Sequence, residues 1–410
     1  MDNYSIHTIV PQLRFPDFLN DKEWEVKRLG EVCRLTNGMA FKPSDWIETG
    51  IPIVRIQNLN DENAPFNYCA PEIIDDRCMI DTGTLLFSWS GTPGTSFGAF
   101  IWNRGKAVLN QHIFIVKPVE IDKVFLKMAI DANMTSIIEK SHGGAGLRHI
   151  TKSDFEDIRI SVPKDIAEQR CIATCLSALD EMLAATNEKL EQLKAYKKGM
   201  MQKLFPAKGK KLPELRFKEF EKDGEWEEKR LGDVVDIYDG IHQTPNYTKK
   251  GVMFVSVEDI STLKSNKFIS EEDFFRDFKV YPQRGDILMT RIGNIGIANV
   301  YDRDELLAYY VSLALFKPKS INSYFLKQSI DSYYFQYQLS IKTLHIAFPK
   351  KINKTELESI LVYCPSIPEQ RKIADCLTLI DEMINQYTNK AAILELYKKG
   401  LMQQMFPTSK

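Results

Sequence analysis

Apolar residues recur in alternating steps of four and three along two long stretches of the chain. In residues 168–206 the positions are Ile172, Leu176, Leu179, Leu183, Thr186, Leu190, Leu193, Lys197, Met200 and Leu204. In residues 369–407 they are Ile373, Leu377, Ile380, Ile384, Tyr387, Ala391, Leu394, Lys398, Leu401 and Met405. Only Thr186 and the two lysines break the apolar character strongly. This spacing describes a helical seam that seeks a partner helix. Neither stretch has an internal proline. At about 1.5 Å per residue each helix would run roughly 57 Å. The pattern therefore predicts two long rods packed on each other.

The two stretches are copies. Glu168-Gln169-Arg170 returns as Glu369-Gln370-Arg371, and Asp180-Glu181-Met182 as Asp381-Glu382-Met383. Tyr196-Lys197-Lys198-Gly199 returns as Tyr397-Lys398-Lys399-Gly400. Upstream, Pro11-Gln12-Leu13-Arg14-Phe15 returns as Pro213-Glu214-Leu215-Arg216-Phe217, and Lys27-Arg28-Leu29-Gly30 as Lys229-Arg230-Leu231-Gly232. The chain is a tandem duplication in which each unit runs preface, globular block, proline, long helix. The expected boundaries are a first globular unit over 1–162 and a central helix over 163–206. A linker with the repeated preface follows over 207–225, then a second globular unit over 226–364 and a C-terminal helix over 365–410.

Within the blocks, short β-branched and aromatic runs punctuated by glycine and proline predict strands. They lie at 51–56, 85–89, 97–102 and 113–116, and at 252–257, 287–290 and 295–301. Segments 122–140 and 322–341 have helical character. The fold class expected is α+β: two mixed globular domains separated by a pair of long antiparallel helices, with an internal pseudo-two-fold axis. The basic linker around Lys208, Lys210 and Lys211 is short, and some seven extended residues reach only about 25 Å. The second block must then sit near the end of the first helix. The simplest closure returns the second helix antiparallel, bringing the chain termini together near the first block.

Composition narrows the chemistry. The 410 residues carry a net charge of −1, so a nucleic-acid face would have to be local. The seven cysteines are scattered. Cys171 and Cys175 read as small apolar helix residues of a reduced, cytoplasmic compartment. No run reaches the ~18–20 apolar residues of a membrane span, and residues 1–15 do not resemble a secretory signal. No adenine-methylation tetrapeptide occurs. Gly143-Gly144-Ala145-Gly146-Leu147-Arg148 lacks the Gly-Lys-Ser/Thr of a phosphate loop. Pro16-Asp17 with Glu25-Val26-Lys27 mimics a nuclease motif, but the second copy replaces Pro16-Asp17 by Lys218-Glu219. What remains is recognition. Diverged modules on one frame would read two unrelated words, and roughly 50 Å between them would span about 15 base pairs. A self-contained nuclease or methylase and a protein-binding scaffold are the rival readings.

The duplicated Pro-x-Leu-Arg-Phe preface, Trp24-x-x-x-Arg28-Leu29-Gly30 with Trp226-x-x-x-Arg230-Leu231-Gly232, and Pro163…Glu168-Gln169 with Pro365…Glu369-Gln370 running into a long helix carry a resemblance over nearly the whole chain. It resembles the specificity subunit of type I restriction–modification systems. The resemblance implies two target-recognition domains that read a split, asymmetric double-stranded DNA sequence. It implies helices that act as a ruler and as the dock for two methylation subunits, with restriction subunits completing the complex. It implies a non-catalytic chain that binds no cofactor itself; S-adenosylmethionine, ATP and Mg belong to the partner subunits.

DNA-reading residues are expected on polar, basic loops near glycine. In the first block these are Phe41, Lys42, Arg55, Gln57, Asn58, Ser88, Ser90, Arg148 and His149. In the second they are His242, Gln243, Arg291, Asn294, Lys342, His345, Lys350 and Lys351. Helix or subunit contacts are expected at Glu168, Gln169, Arg170, Ile172, Leu176, Leu179 and Leu183, and at Glu369, Gln370, Arg371, Ile373, Leu377, Ile380 and Ile384. Acids early in a helix also complement its dipole, so Glu168 and Glu369 have a structural reading too. Lys197, Lys198, Lys398 and Lys399 face either DNA, a partner or water.

Overall fold

A computed structural model describes residues 8–61, 63–144, 146–344 and 349–407. The chain is a mixed helix-and-sheet protein that folds into two compact units. One is built from the residues up to Ala185 together with those from Lys390 onward, the other from Thr186–Asn389. Both long helices, Ile166–Leu204 and Ile367–Met405, are cut near their middles. The physical reason is burial: each half-helix shares a core with the block beside it.

In the first unit, Cys33–Asn37, Ile113–Pro118, Leu85–Ser88 and Gly98–Ile101 form an antiparallel sheet in that order. A second sheet runs Asn67–Cys69, Ile51–Val54, Ala107–Leu109, Met79–Ile80, with the two middle strands parallel. The second unit repeats the frame. Val235–Asp239, Leu313–Pro318, Ile287–Thr290 and Ala298–Val300 form the antiparallel sheet, and Val252–Val255 pairs parallel with Leu307–Tyr309. The expected helical segments break into Lys123–Ala132 with Met134–Lys140, and Ser323–Asp331 with Tyr333–Lys342. The strand expected over 51–56 stops at Val54 because Asn58 Oδ1 accepts from the Arg55 N–H at 3.0 Å and starts the helix Ile56–Asn60. An amide reaching back in this way supplies half of a capping box.

The repeated motifs meet in a buried clamp. In the first unit Arg14 donates from Nε and Nη2 to Glu168 at 2.7 and 2.8 Å, and Trp24 Nε1 donates to the same carboxylate at 3.1 Å. In the second unit Arg216 donates to Glu369 at 2.8 Å twice. Glu168 and Glu369 are 1% and 0% exposed. The arginines also hold the preface loop, donating to the Asp21 and Lys22 carbonyls and to those of Asp223 and Gly224. Gln169 accepts from the Asp122 N–H at 2.8 Å and donates to the Pro163 carbonyl at 2.9 Å. Gln370 does the same with Asn322 and Pro365. These four side chains are spent inside the fold, at the start of each long helix. Arg170 and Arg371 remain exposed.

The preface also ties down the other helix. Leu13 N–H donates to the Gln404 carbonyl at 3.1 Å, and Leu215 N–H to that of Lys203 at 2.9 Å. Each preface thus joins the start of one long helix to the end of the other. Farther along, Lys398 pairs with Asp180 in the first unit and Lys197 with Asp381, at 2.7 Å, in the second. Within each unit the two helix halves therefore run antiparallel. The lysines that interrupt the apolar seam belong to this pairing. Lys198 and Lys399 are exposed.

The helix ends plug the blocks. Phe406 lies 5.3 Å from Phe125 and 6.4 Å from Trp24, ring to ring, and Phe205 lies 5.5 Å from Phe325 and 6.3 Å from Trp226. Ser161 Oγ donates to the Pro407 carbonyl, so Pro407 closes the first unit. Ile172 and Leu176, with Leu179 at the margin, share that core. Ile373, Leu377 and Ile380, with Ile384 at the margin, share the second. Leu183 is half-buried. Near each helix start the seam packs into a block. Among the described residues no helix is long and apolar enough to cross a membrane.

Removing one partner of a buried, hydrogen-bonded pair costs about 3–5 kcal/mol, because the other charge is stranded. Glu369→Ala is expected to lose about that much in denaturant unfolding, whereas Lys198→Ala on the exposed face stays within about 0.5 kcal/mol. Asp381 supplies a pH test. Burial alone would raise its pKa, but Lys327, Lys197 and Gln328 outweigh burial and hold it below the usual aspartate value. The unfolded carboxyl then protonates first as pH drops. The stability it supplies is complete above the unfolded pKa and is lost as pH falls through the folded one. In thermal melts the wild-type advantage over Asp381→Asn is expected to be largest at neutral pH and to fade on acidification.

Candidate nucleic-acid interface

The loops picked out by residue type converge, in each unit, on the turn that precedes the central strand of the antiparallel sheet. In the first unit that turn is 109–113. Met39 N–H donates to the Leu109 carbonyl at 2.8 Å, Asn110 N–H to Val54 at 3.0 Å and Trp89 N–H to His112 at 3.2 Å. These contacts draw loops 38–42, 55–58 and 88–91 around one point. Trp89 Nε1 donates to Asn37 Oδ1 at 3.0 Å and to the Gln111 carbonyl at 3.1 Å. In the second unit the turn is 309–313. Ile241 N–H donates to Tyr309, Tyr310 N–H to Val255 and Arg291 N–H to Ser312. Glycine is required where the first of these loops crosses the turn. A Cβ at Gly38 would lie 2.2 Å from the Asn110 carbonyl oxygen, and one at Gly240 2.5 Å from that of Tyr309.

A small ribbon stands beside each turn. His142–Gly143, Arg148–His149 and Ser90–Gly91 form a three-stranded sheet. In the second unit Leu344 pairs with Lys351 and Lys351 with Ile292. Ile150 N–H and Ile352 N–H, donating to Trp89 and Arg291, seat the two ribbons alike. His149 and Ser90 therefore correspond to Lys351 and Ile292, and Arg148 to Lys350. His149, Lys350 and Lys351 are exposed, while Arg148 is half-buried and donates to the Ser141 carbonyl at 3.4 Å. Ala145 and His345 lie outside the described residues.

The other expected contact residues divide by burial. Lys42, Gln57, His242, Gln243 and Asn294 are exposed, and Ser90 is half-buried. Arg55 donates to Asn67 Oδ1 at 3.1 Å with its guanidinium 5.5 Å from the Trp46 ring, a cation–π arrangement that leaves it half-exposed. Four expectations change. Phe41 packs onto the small core of Ile53, Cys69, Cys78 and Val108. Ser88 is 0% exposed and donates to the Ser90 carbonyl. Asn58 is buried, and its amide donates to the Ala64 and Pro65 carbonyls. Arg291 is buried, pairs with Asp239 and donates to the Ile352 carbonyl; burial pulls its pKa below the usual value. The three polar side chains hold the loops instead of facing outward, because a buried polar group needs an internal partner.

Lys342 is half-buried. It donates to Ser359 Oγ at 2.7 Å and reaches Glu356 at 3.4 Å, which ties the helix Tyr333–Lys342 to Lys354–Glu358. Residues that motif reading passed over also sit at the convergence: Trp46, Asn110, Gln111 and His112, and in the second unit Tyr310 and Ser312. His112 Nδ1 and Ser312 Oγ are buried with no hydrogen-bond partner. The recurrence of Gly38 as Gly240 is the signal that could have pointed to this turn. Among the described residues no group of three or more His, Cys, Asp and Glu side chains is placed to hold a metal.

Comparisons with known proteins align with this architecture. The family model described as "Type I restriction modification DNA specificity domain" matches twice, over residues 21–195 and 223–395. The chain is 26% identical over 408 residues to the type I restriction enzyme MjaVIII specificity subunit of Methanocaldococcus jannaschii, covering 95% of this chain and 92% of that one. It is 24% identical to the EcoBI specificity subunit of Escherichia coli, covering 93% and 85%. Its fold is similar to the crystal structure of a type I restriction-modification system S subunit from M. genitalium, with a TM-score of 0.67 at 16% identity over 98% of this chain and 100% of that one.

Proposed function

The chain belongs to the type I restriction modification DNA specificity family, and we propose that each of its units reads one half of a split, asymmetric DNA target. One observation carries this reading. The two units share a buried frame, yet the side chains on the equivalent ribbons differ: Ser90 and Ile292, Arg148 and Lys350, His149 and Lys351. A common frame places equivalent loops alike, and different exposed side chains then select different base pairs. The lysines and arginines position the backbone, while polar and apolar tips discriminate. On this reading the chain does no chemistry itself and acts on cellular DNA in the cytoplasm.

The long helices, each continuous through both units, are proposed to set the number of base pairs between the half-sites. Two equivalent clefts are proposed to receive two copies of a methylation subunit. In the second unit a cleft of ≈ 740 Å³ is lined by Lys198, Met201, Gln202 and Phe205 against Tyr333 and Tyr334. In the first, a cleft of ≈ 560 Å³ is lined by Lys399, Met402, Gln403 and Phe406 against Asp131 and Ala132. Six of the lining positions, from Lys194 and Glu395 to Phe205 and Phe406, are related by the 201-residue shift between the two long helices, which supports one kind of partner bound twice. S-adenosylmethionine would enter on those partners, and ATP and Mg on restriction subunits.

Two measurements test this. Modified bases are mapped by single-molecule sequencing in DNA from cells that carry the chain with its partners. Exchanging blocks 24–162 and 226–364 is expected to return the same half-words in swapped order, and an unchanged target would refute the modular reading. Native mass spectrometry with the methylation subunit is expected to show two copies on the wild type. Exposed Lys→Glu changes at Lys198 and Lys399 are expected to weaken one copy each. Retention of both copies by the double variant would refute the clefts as docks.

A further inference from the structure

The ribbon of the first unit carries an exposed apolar side chain near its tip. Leu147 sits at its tip, 62% exposed, immediately before Arg148. The turn beneath it is tight: Gly143 has φ +114, and a Cβ there would lie 2.3 Å from the Leu147 carbonyl oxygen. Around the tip there is open space, since a Cβ at Gly144 or Gly146 would meet nothing within 4 Å. Thr92 Oγ1 donates to the Gly146 carbonyl at 2.7 Å and braces one side. The leucine is thus held out from the protein on a supported turn. In the second unit the aligned residue is Pro349, followed by Lys350 and Lys351.

A single exposed leucine is ordinary on a protein surface. This one immediately precedes Arg148, on the strand pair His142–Gly143 and Arg148–His149 of the three-stranded sheet, and a strand pair is a shape that the major groove admits. Leucine cannot hydrogen-bond to a base edge. It can discriminate only by apolar contact, and the one apolar group that the major groove displays is the thymine 5-methyl. Resting on the DNA-reading function proposed above, we propose that Leu147 is a specificity-determining residue that recognises a thymine methyl in the half-site of the first unit. Arg148 and His149 set the ribbon against the backbone and neighbouring base edges.

The test uses the full chain with its methylation subunits. Duplexes are selected from a randomised pool, and affinity is read by fluorescence anisotropy. Each thymine of the selected half-sites is replaced in turn by deoxyuridine, which removes only the methyl. At one position this is expected to weaken wild-type binding about fivefold, roughly the effect of one lost methyl contact. Leu147→Ala is expected to weaken binding to the thymine duplex by a similar factor and to lose nothing more on the deoxyuridine duplex. Leu147→Met, which keeps the apolar volume, retains the preference. The salt dependence of binding is unchanged in both variants, because no phosphate contact is removed. Full affinity of Leu147→Ala, or losses that multiply with deoxyuridine at every position, would overturn the assignment. If the wild type selected no duplex at all, the DNA-reading function itself would fail, a result distinct from either.

Discussion

A buried carboxylate gripped by an arginine from a distant segment is the joint on which each unit is built. Glu168 with Arg14, and Glu369 with Arg216, connect the first turn of a long helix to a preface that precedes the whole block. Such a pair is weak evidence of net stability, since desolvating both charges offsets much of their attraction. Its value lies in what it excludes. A carboxylate buried at the helix start tolerates only a geometry in which the guanidinium reaches it. The same preface hydrogen-bonds the end of the other helix, so satisfying the charge also brings together one helix start and one helix end. The two joints are not identical. Trp24 donates to Glu168, whereas Trp226 Nε1 is buried with no hydrogen-bond partner.

The seam lysines extend the same logic. A cation inside an apolar seam is costly unless its counter-ion sits at one defined register. Lys197 finds Asp381, which Lys327 and Gln328 also contact, and Lys398 finds Asp180. A one-turn slip of either pair would bury the lysine against leucine and isoleucine. Polar positions in helical seams set register in this way. The apolar residues supply most of the burial, and the charges choose among its possible alignments.

A frame specified by buried contacts leaves the exposed loops free to diverge. The turns at 109–113 and 309–313 are held by backbone hydrogen bonds and by close passage of Gly38 and Gly240. These need little from the side chains that face outward. Ser88, Asn58 and Arg291 show the other half of this arrangement. Although polar, they are spent on carbonyls or a carboxylate beneath the loops. A protein of the DNA specificity family can therefore change the word it reads without changing how its loops are hung.

Much of this was legible from residue order alone. The 4–3 spacing, the Glu-Gln-Arg and Pro-x-Leu-Arg-Phe repeats and the glycine-bounded β-branched runs identify the duplication, the long helices, most of the strands and the family. Those features are local or periodic, and a linear string records them directly. What the string does not record is which polar side chain finds a partner far away in sequence. Arg14 and Glu168 both recur in their motifs, but nothing in their spacing says that they touch. Residue type placed Ser88, Asn58 and Arg291 on the surface, and the packing around them buried them. The assignment of each half-helix to its own block was also decided only in three dimensions. Phe406 becomes the plug of the first core because the end of the second long helix lies against Trp24 and Phe125, a proximity that tertiary folding alone creates.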